Sequence, residues 1–113
     1  MLVYIKKYST NNINTNVNVT GYKVIYNEPL TFRIYDRICS CEINRGNISV
    51  NGNYGTKTWS FSSINAPLQT ITFLSIDGDC HIKITPDGEV FLKTVSGTTK
   101  TVYLKANTTY IIS

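Results

Sequence analysis

Charge is in short supply. Only 16% of the 113 residues are Asp, Glu, Lys or Arg, against the roughly 25% usual in globular proteins. Asn, Thr and Ser fill the polar positions instead, and they hydrogen-bond without the desolvation cost of an ion. No cationic run is longer than Lys6-Lys7, so the net charge of +4 and pI near 9.0 are dispersed. Dispersed charge serves solubility better than it serves a polyanion track. Alanine and leucine are scarce, and no stretch keeps apolar residues at i, i+3, i+4 and i+7 through three turns, which excludes a helical bundle. No apolar run approaches the roughly 18 residues of a membrane span. Met1 to Ile5 is too short for a signal-peptide core, and Lys6-Lys7 follow it where a signal would place them first. The expectation is a chain made in a cytoplasm, with no signal peptide or transmembrane segment.

Reactive groups are as sparse as charge. His81 is the one histidine, and alternation along an extended chain points its neighbour Cys80 to the opposite face, a poor arrangement for a Cys/His nucleophile pair. Cys39-x-Cys41 with Cys80-His81 would supply four zinc ligands. Structural zinc sites, however, usually place two residues between paired cysteines, and the second pair here splits across the sheet. Three cysteines without a secretory context read as reduced, partly buried thiols. Asp77-Gly78-Asp79 lacks the further carboxylates of a calcium loop. No phosphate-cradling glycine motif occurs, and the seven acids sit mostly at turns. No catalytic residue, metal ligand or cofactor is assigned, and the chain is read as non-enzymatic.

What is abundant is Tyr, Ile and Thr, residues that suit a pleated, half-buried surface. Alternation places strands at Leu2 to Tyr8, from Val17 past Gly21 to Tyr26, and at Leu30 to Ile38. In the last, Leu30, Phe32, Ile34 and Ile38 share one face and Thr31, Arg33, Tyr35 and Arg37 the other. Asp36 then falls on the apolar face, which calls for a bulge or a rim partner. Further strands are expected at Cys41 to Ile43, Ile48 to Val50, Thr56 to Ser62, Leu68 to Ile76, Cys80 to Thr85, Glu89 to Val95, Thr99 to Ala106 and Thr109 to Ile112. Asn44-Arg45-Gly46-Asn47, Asn51-Gly52, Asp77-Gly78-Asp79, Pro86-Asp87-Gly88 and Asn107-Thr108 mark the breaks. Eight to ten short strands with frequent turns give an all-β, antiparallel sandwich, jelly-roll or immunoglobulin-like, as one domain of residues 1–113.

Function must then lie on surfaces. Exposed tyrosines bury a ring while keeping a polar tip, so Tyr22, Tyr26, Tyr35 and Tyr54 are candidate interface residues, together with the cations Arg33 and Arg37 that flank Tyr35. The same Arg-Tyr-Arg row admits single-stranded nucleic acid as a weaker reading. Trp59 offers a ring for stacking on a sugar, although alternation with Phe61 places it toward the core.

The run Ile82-Lys83-Ile84-Thr85-Pro86-Asp87-Gly88-Glu89-Val90-Phe91-Leu92, followed by Val102 to Tyr110, resembles the β-meanders of tailed-phage virion proteins. It is similar in style to the small head-decoration, head-fibre and tail-associated domains of crAss-like phages. The resemblance covers Cys80 to Ser113, about a third of the chain, and carries no catalytic residues. It implies a virion structural protein whose partners are capsid, portal, fibre or tail subunits, or further copies of itself. A glycan- or receptor-binding module is the alternative, and a single-stranded nucleic-acid binder the second.

Overall fold

The computed structural model describes residues 21–112. The strand expected at Leu2 to Tyr8, and the start of the next at Val17, lie outside those residues. Eight strands are present among them: β1 (Tyr22–Asn27), β2 (Leu30–Tyr35), β3 (Ile38–Val50), β4 (Trp59–Ser60), β5 (Ile71–Leu74), β6 (Cys80–Ile84), β7 (Glu89–Thr94) and β8 (Lys100–Ile111). They form two four-stranded antiparallel sheets in the orders β1-β2-β3-β8 and β4-β7-β6-β5. The all-β sandwich expected from alternation is the observed fold. Each sheet is a three-stranded meander with one strand, β8 or β4, added beside its last member.

Period two builds the core. Leu30, Phe32 and Ile34 of β2, Cys39, Cys41 and Ile43 of β3, and Val102, Leu104 and Ala106 of β8 face inward from the first sheet. Cys80, Ile82, Ile84, Val90 and Leu92 face them from the second, and the set forms one continuous cluster. Phe32 and Phe61 meet across the sheets with ring centroids 4.7 Å apart. Each large apolar side chain sealed in this way contributes about 1.5–3 kcal/mol of transfer free energy.

Four local expectations are corrected. β2 ends at Tyr35, and Asp36-Arg37 is a two-residue turn in which Asp36 takes φ 57°. The turn resets the period. Ile38, expected on the apolar face, instead lies opposite Tyr35 on the outer face, and Arg37 leaves the strand row altogether. The segment Asn44 to Asn47, read as a turn, is a bulge inside β3: pairing with β8 shifts register between Arg45 and Ile48, with Asn47 at φ 38°. Asn107 and Thr108 do not end a strand, since they pair with Glu42 and Cys41 inside a continuous β8. The expected strand at Thr56 to Ser62 shrinks to Trp59–Ser60.

The hairpin at Pro86-Asp87-Gly88 forms as its residues dictate. Gly88 sits at φ 83° and its N–H donates to the Thr85 carbonyl at 2.9 Å. Phe61 N–H donates to the Gly88 carbonyl at 2.8 Å, which fastens β4 to the turn. A Cβ on Gly88 would stand 2.2 Å from the Phe61 carbonyl oxygen, so no side chain fits there.

The two long sides of the sandwich differ. Beside β8 the sheets are bridged: Leu68 N–H donates to the Ile111 carbonyl at 3.3 Å and Ile76 N–H to the Lys105 carbonyl at 2.8 Å. The buried Tyr110 hydroxyl donates to the Asn65 carbonyl at 2.8 Å on the same side. On the other side β1 pairs only with β2 among the described residues, and β4 is two residues long. Lys23 aligns with the inward positions Ile34 and Cys39 yet is exposed, so β1 overhangs the core. Among the described residues one side is closed and the other open.

Candidate interaction surfaces

Register assembles the outer face of the first sheet. Tyr22, Tyr35, Ile38 and Ile111 lie directly opposite one another on β1, β2, β3 and β8. All four are about half exposed, at 50%, 50%, 52% and 53%. The next row is Val24, Arg33, Ser40 and Thr109, and the third is Tyr26, Thr31, Glu42 and Asn107. Arg33 reaches diagonally to Glu42, with Nη1 2.9 Å from Oε1, and that hydrogen bond raises the guanidinium pKa. The pair neutralises the charge at the centre of the face. What remains is an aromatic and aliphatic row with Tyr26, 77% exposed, beside it.

Of the six residues singled out from sequence, Tyr22, Tyr26, Arg33 and Tyr35 therefore share one face. Arg37 sits at its end, in the β2–β3 turn, where its carbonyl accepts from Ile112 N–H at 2.9 Å. Tyr54 belongs to the opposite surface. Its ring lies between two ammonium groups, Lys83 Nζ at 4.6 Å and Lys93 Nζ at 4.8 Å from the centroid, and Lys83 also stands 4.7 Å from the Phe91 ring. These contacts hold the segment before β4 against the outer face of β6 and β7. Burial pushes the Tyr54 hydroxyl pKa up. On the second sheet, then, cationic and aromatic groups interleave with their ring faces already engaged.

The thiols face inward. Cys39, Cys41 and Cys80 are all buried and free, and burial pushes all three pKa values up, that of Cys41 to about 12. Thiols held protonated are poor nucleophiles and poor ligands. Cys39 and Cys41 project from the first sheet and Cys80 from the second, while His81 lies on the outer face opposite Lys93. Among the described residues no group of three or more His, Cys, Asp or Glu side chains converges, so the zinc set weighed from sequence is not assembled. In Asp77-Gly78-Asp79 the Asp77 carboxylate accepts from Asp79 N–H at 3.1 Å and from the Ser75 hydroxyl at 2.9 Å. Those bonds hold its pKa below the ordinary value, in the order given. This is a turn lock: Ser75 Oγ also accepts from Cys80 N–H at 3.0 Å.

The open side holds a feature that sequence reasoning missed. Glu28 and Pro29, in the β1–β2 turn, Arg45, beside the β3 bulge, and Trp59 of β4 line one cleft of about 280 Å³. Trp59 pairs with Val90 and so faces inward, yet it lies at the sheet edge and is only partly covered. The Pro29 carbonyl accepts from Asn44 N–H at 3.1 Å, which pins the turn beside Arg45. Core and cleft are two aspects of the same indole. Glu28 and Arg45 are remote in sequence from each other and from Trp59, and only the unusual inward Trp on a short polar strand hinted at them.

No protein-family model matches the chain, and no curated protein is significantly similar to it. No helix among the described residues is long and apolar enough to cross a membrane.

Proposed function

We propose that this protein is a non-enzymatic structural component of a bacteriophage particle, a decoration, head-fibre or tail-associated subunit, which docks on other virion proteins through the outer face of its first sheet. The observation that carries the interaction reading is the row Tyr22, Tyr35, Ile38 and Ile111, which crosses all four strands and stays half exposed. Contiguous apolar area of this kind, rimmed by polar residues, marks protein contact surfaces. Low charge supports it, since Asn107, Thr109, Thr31 and Ser40 in the flanking rows bury at less cost than ions. The edge of β1, which has no second partner among the described residues, adds a second means of contact. The virion assignment itself draws on the resemblance of the C-terminal meander and on composition.

Quantitative mass spectrometry of purified particles from the source tests it. The chain is expected at the copy number of a structural subunit, and replacing Tyr35 with Lys together with Ile38 with Asp is expected to remove it from particles while the isolated variant stays folded. Absence of the wild-type chain from particles overturns the virion reading. Undiminished incorporation of the double variant overturns the choice of face.

A further inference from the structure

We propose that the cleft on the open side is a binding subsite for a single neutral hexopyranose ring, which lies against Trp59 and hydrogen-bonds to Arg45 and Glu28. The inference does not depend on the virion assignment. It begins with groups that have unused capacity. Among the described residues neither Glu28 nor Arg45 forms an ion pair, with each other or with any third group, although both line the same cleft. The Trp59 indole N–H has no protein acceptor among those residues either. Glu28, Arg45 and Trp59 therefore line one cleft, and their side-chain polar groups have no partner among the described residues.

The local backbone holds them apart. Arg45 is the last residue in register before the β3 bulge, and bulges of this kind re-aim side chains beside functional sites. Glu28 is fixed from the other direction by the Pro29 to Asn44 hydrogen bond at 3.1 Å. Trp59, partly buried at the edge of the second sheet, is the aromatic member of the lining.

Ligand chemistry follows by elimination. A phosphate or carboxylate would gain Arg45 but meet Glu28, and a cation would meet the reverse. A wholly apolar ligand would strip water from both charges and return nothing. A neutral pyranose has a C–H face for the indole and vicinal hydroxyls that both donate and accept, so it satisfies all three groups at once. The volume, about 280 Å³, sits just below the usual range for drug-sized pockets, which suits one ring.

Titration of the ¹⁵N-labelled full chain with the methyl glycosides of glucose, galactose, mannose and N-acetylglucosamine tests the site, with inorganic phosphate as the anionic control. At least one glycoside is expected to shift the Trp59 indole N–H and the Arg45 amide saturably in the millimolar range, and phosphate is not. Because Trp59 also packs on the core, the decisive variants are Glu28→Gln and Arg45→Gln at exposed positions. Each is expected to keep the wild-type spectrum elsewhere and to weaken binding roughly tenfold, as losing one charged hydrogen bond does. An unmoved Trp59 indole with every glycoside, shifts confined to another surface, or unchanged affinity in both variants would overturn the proposal. So would phosphate moving Arg45 where no sugar does.

Discussion

The closed and open sides of this sandwich face the same problem, the exposed edge of a sheet, and solve it differently. Beside β8 the chain crosses back twice, and Leu68 and Ile76 donate backbone hydrogen bonds to Ile111 and Lys105. A buried tyrosine hydroxyl adds a third tie. Beside β1 and β4 nothing comparable is present among the described residues, and the gap is lined by Glu28, Arg45 and Trp59. Stability is concentrated where the edges are tied, and access where they are not. On the proposed reading the fold divides labour, with one side tied for rigidity and the other left for contact.

The contrast can be broken or sharpened by mutation. Phe32 is fully buried and meets Phe61 in a tilted ring contact between the two sides. Phe32→Ala is expected to cost about 3–5 kcal/mol in urea unfolding and to erase the difference by loosening both. Alkali acts next, through the core thiols. The Cys41 thiol holds its proton to about 12 in the folded chain, against an ordinary 9.0. Its contribution is therefore complete below about pH 9 and drains away as pH rises toward 12, because the unfolded chain releases the proton first. Chemical denaturation across that window should show the loss, and Cys41→Ala should lessen it, the remainder coming from Cys39, Cys80 and Tyr110, whose pKa values burial raises as well. A pH-independent midpoint in the wild type would contradict burial of the thiol.

Tyr110→Phe probes the closed side alone. It deletes the 2.8 Å bond to the buried Asn65 carbonyl and is expected to cost about 1–2 kcal/mol. On the open side Tyr26→Ser should change stability by less than about 0.5 kcal/mol, the range for exposed sites. Arg33→Gln should do little more, since the pair with Glu42 is exposed on both partners. Equal losses from Tyr110→Phe and Tyr26→Ser would remove the asymmetry.

Much of this architecture is legible in the residues. Alternation through Leu30 to Tyr35 and Cys80 to Leu92 gives strand, face and core together, and Pro86-Asp87-Gly88 announces its own turn. Three of the four errors share one cause: Asn, Gly and Asp signal a departure from regular pleating without saying how large it is. At Asp36-Arg37 they reverse the chain, and at Arg45 to Asn47 they only bulge it, because the long β8 keeps β3 extended past the defect. Asn107-Thr108 do not interrupt at all, since tertiary pairing outweighs local preference. Period two gave the outward Arg33 and Tyr35, but the turn removes Arg37 and brings Ile38 outward, and Tyr54 lies on the second sheet. The cleft was not, because Glu28, Arg45 and Trp59 are joined only by the folding of one sheet over the other.

Native-state hydrogen exchange on the full chain tests the asymmetry most directly, since protection follows the local cost of opening. The β8 amides that donate to β3, and the Ile76 amide that donates to Lys105, should exchange only through global unfolding, while the β1 amides that point away from β2 should exchange orders of magnitude faster. Protection along the whole of β1 equal to that along β8 would show both sides closed, and would remove the physical basis for placing contact and binding on one of them.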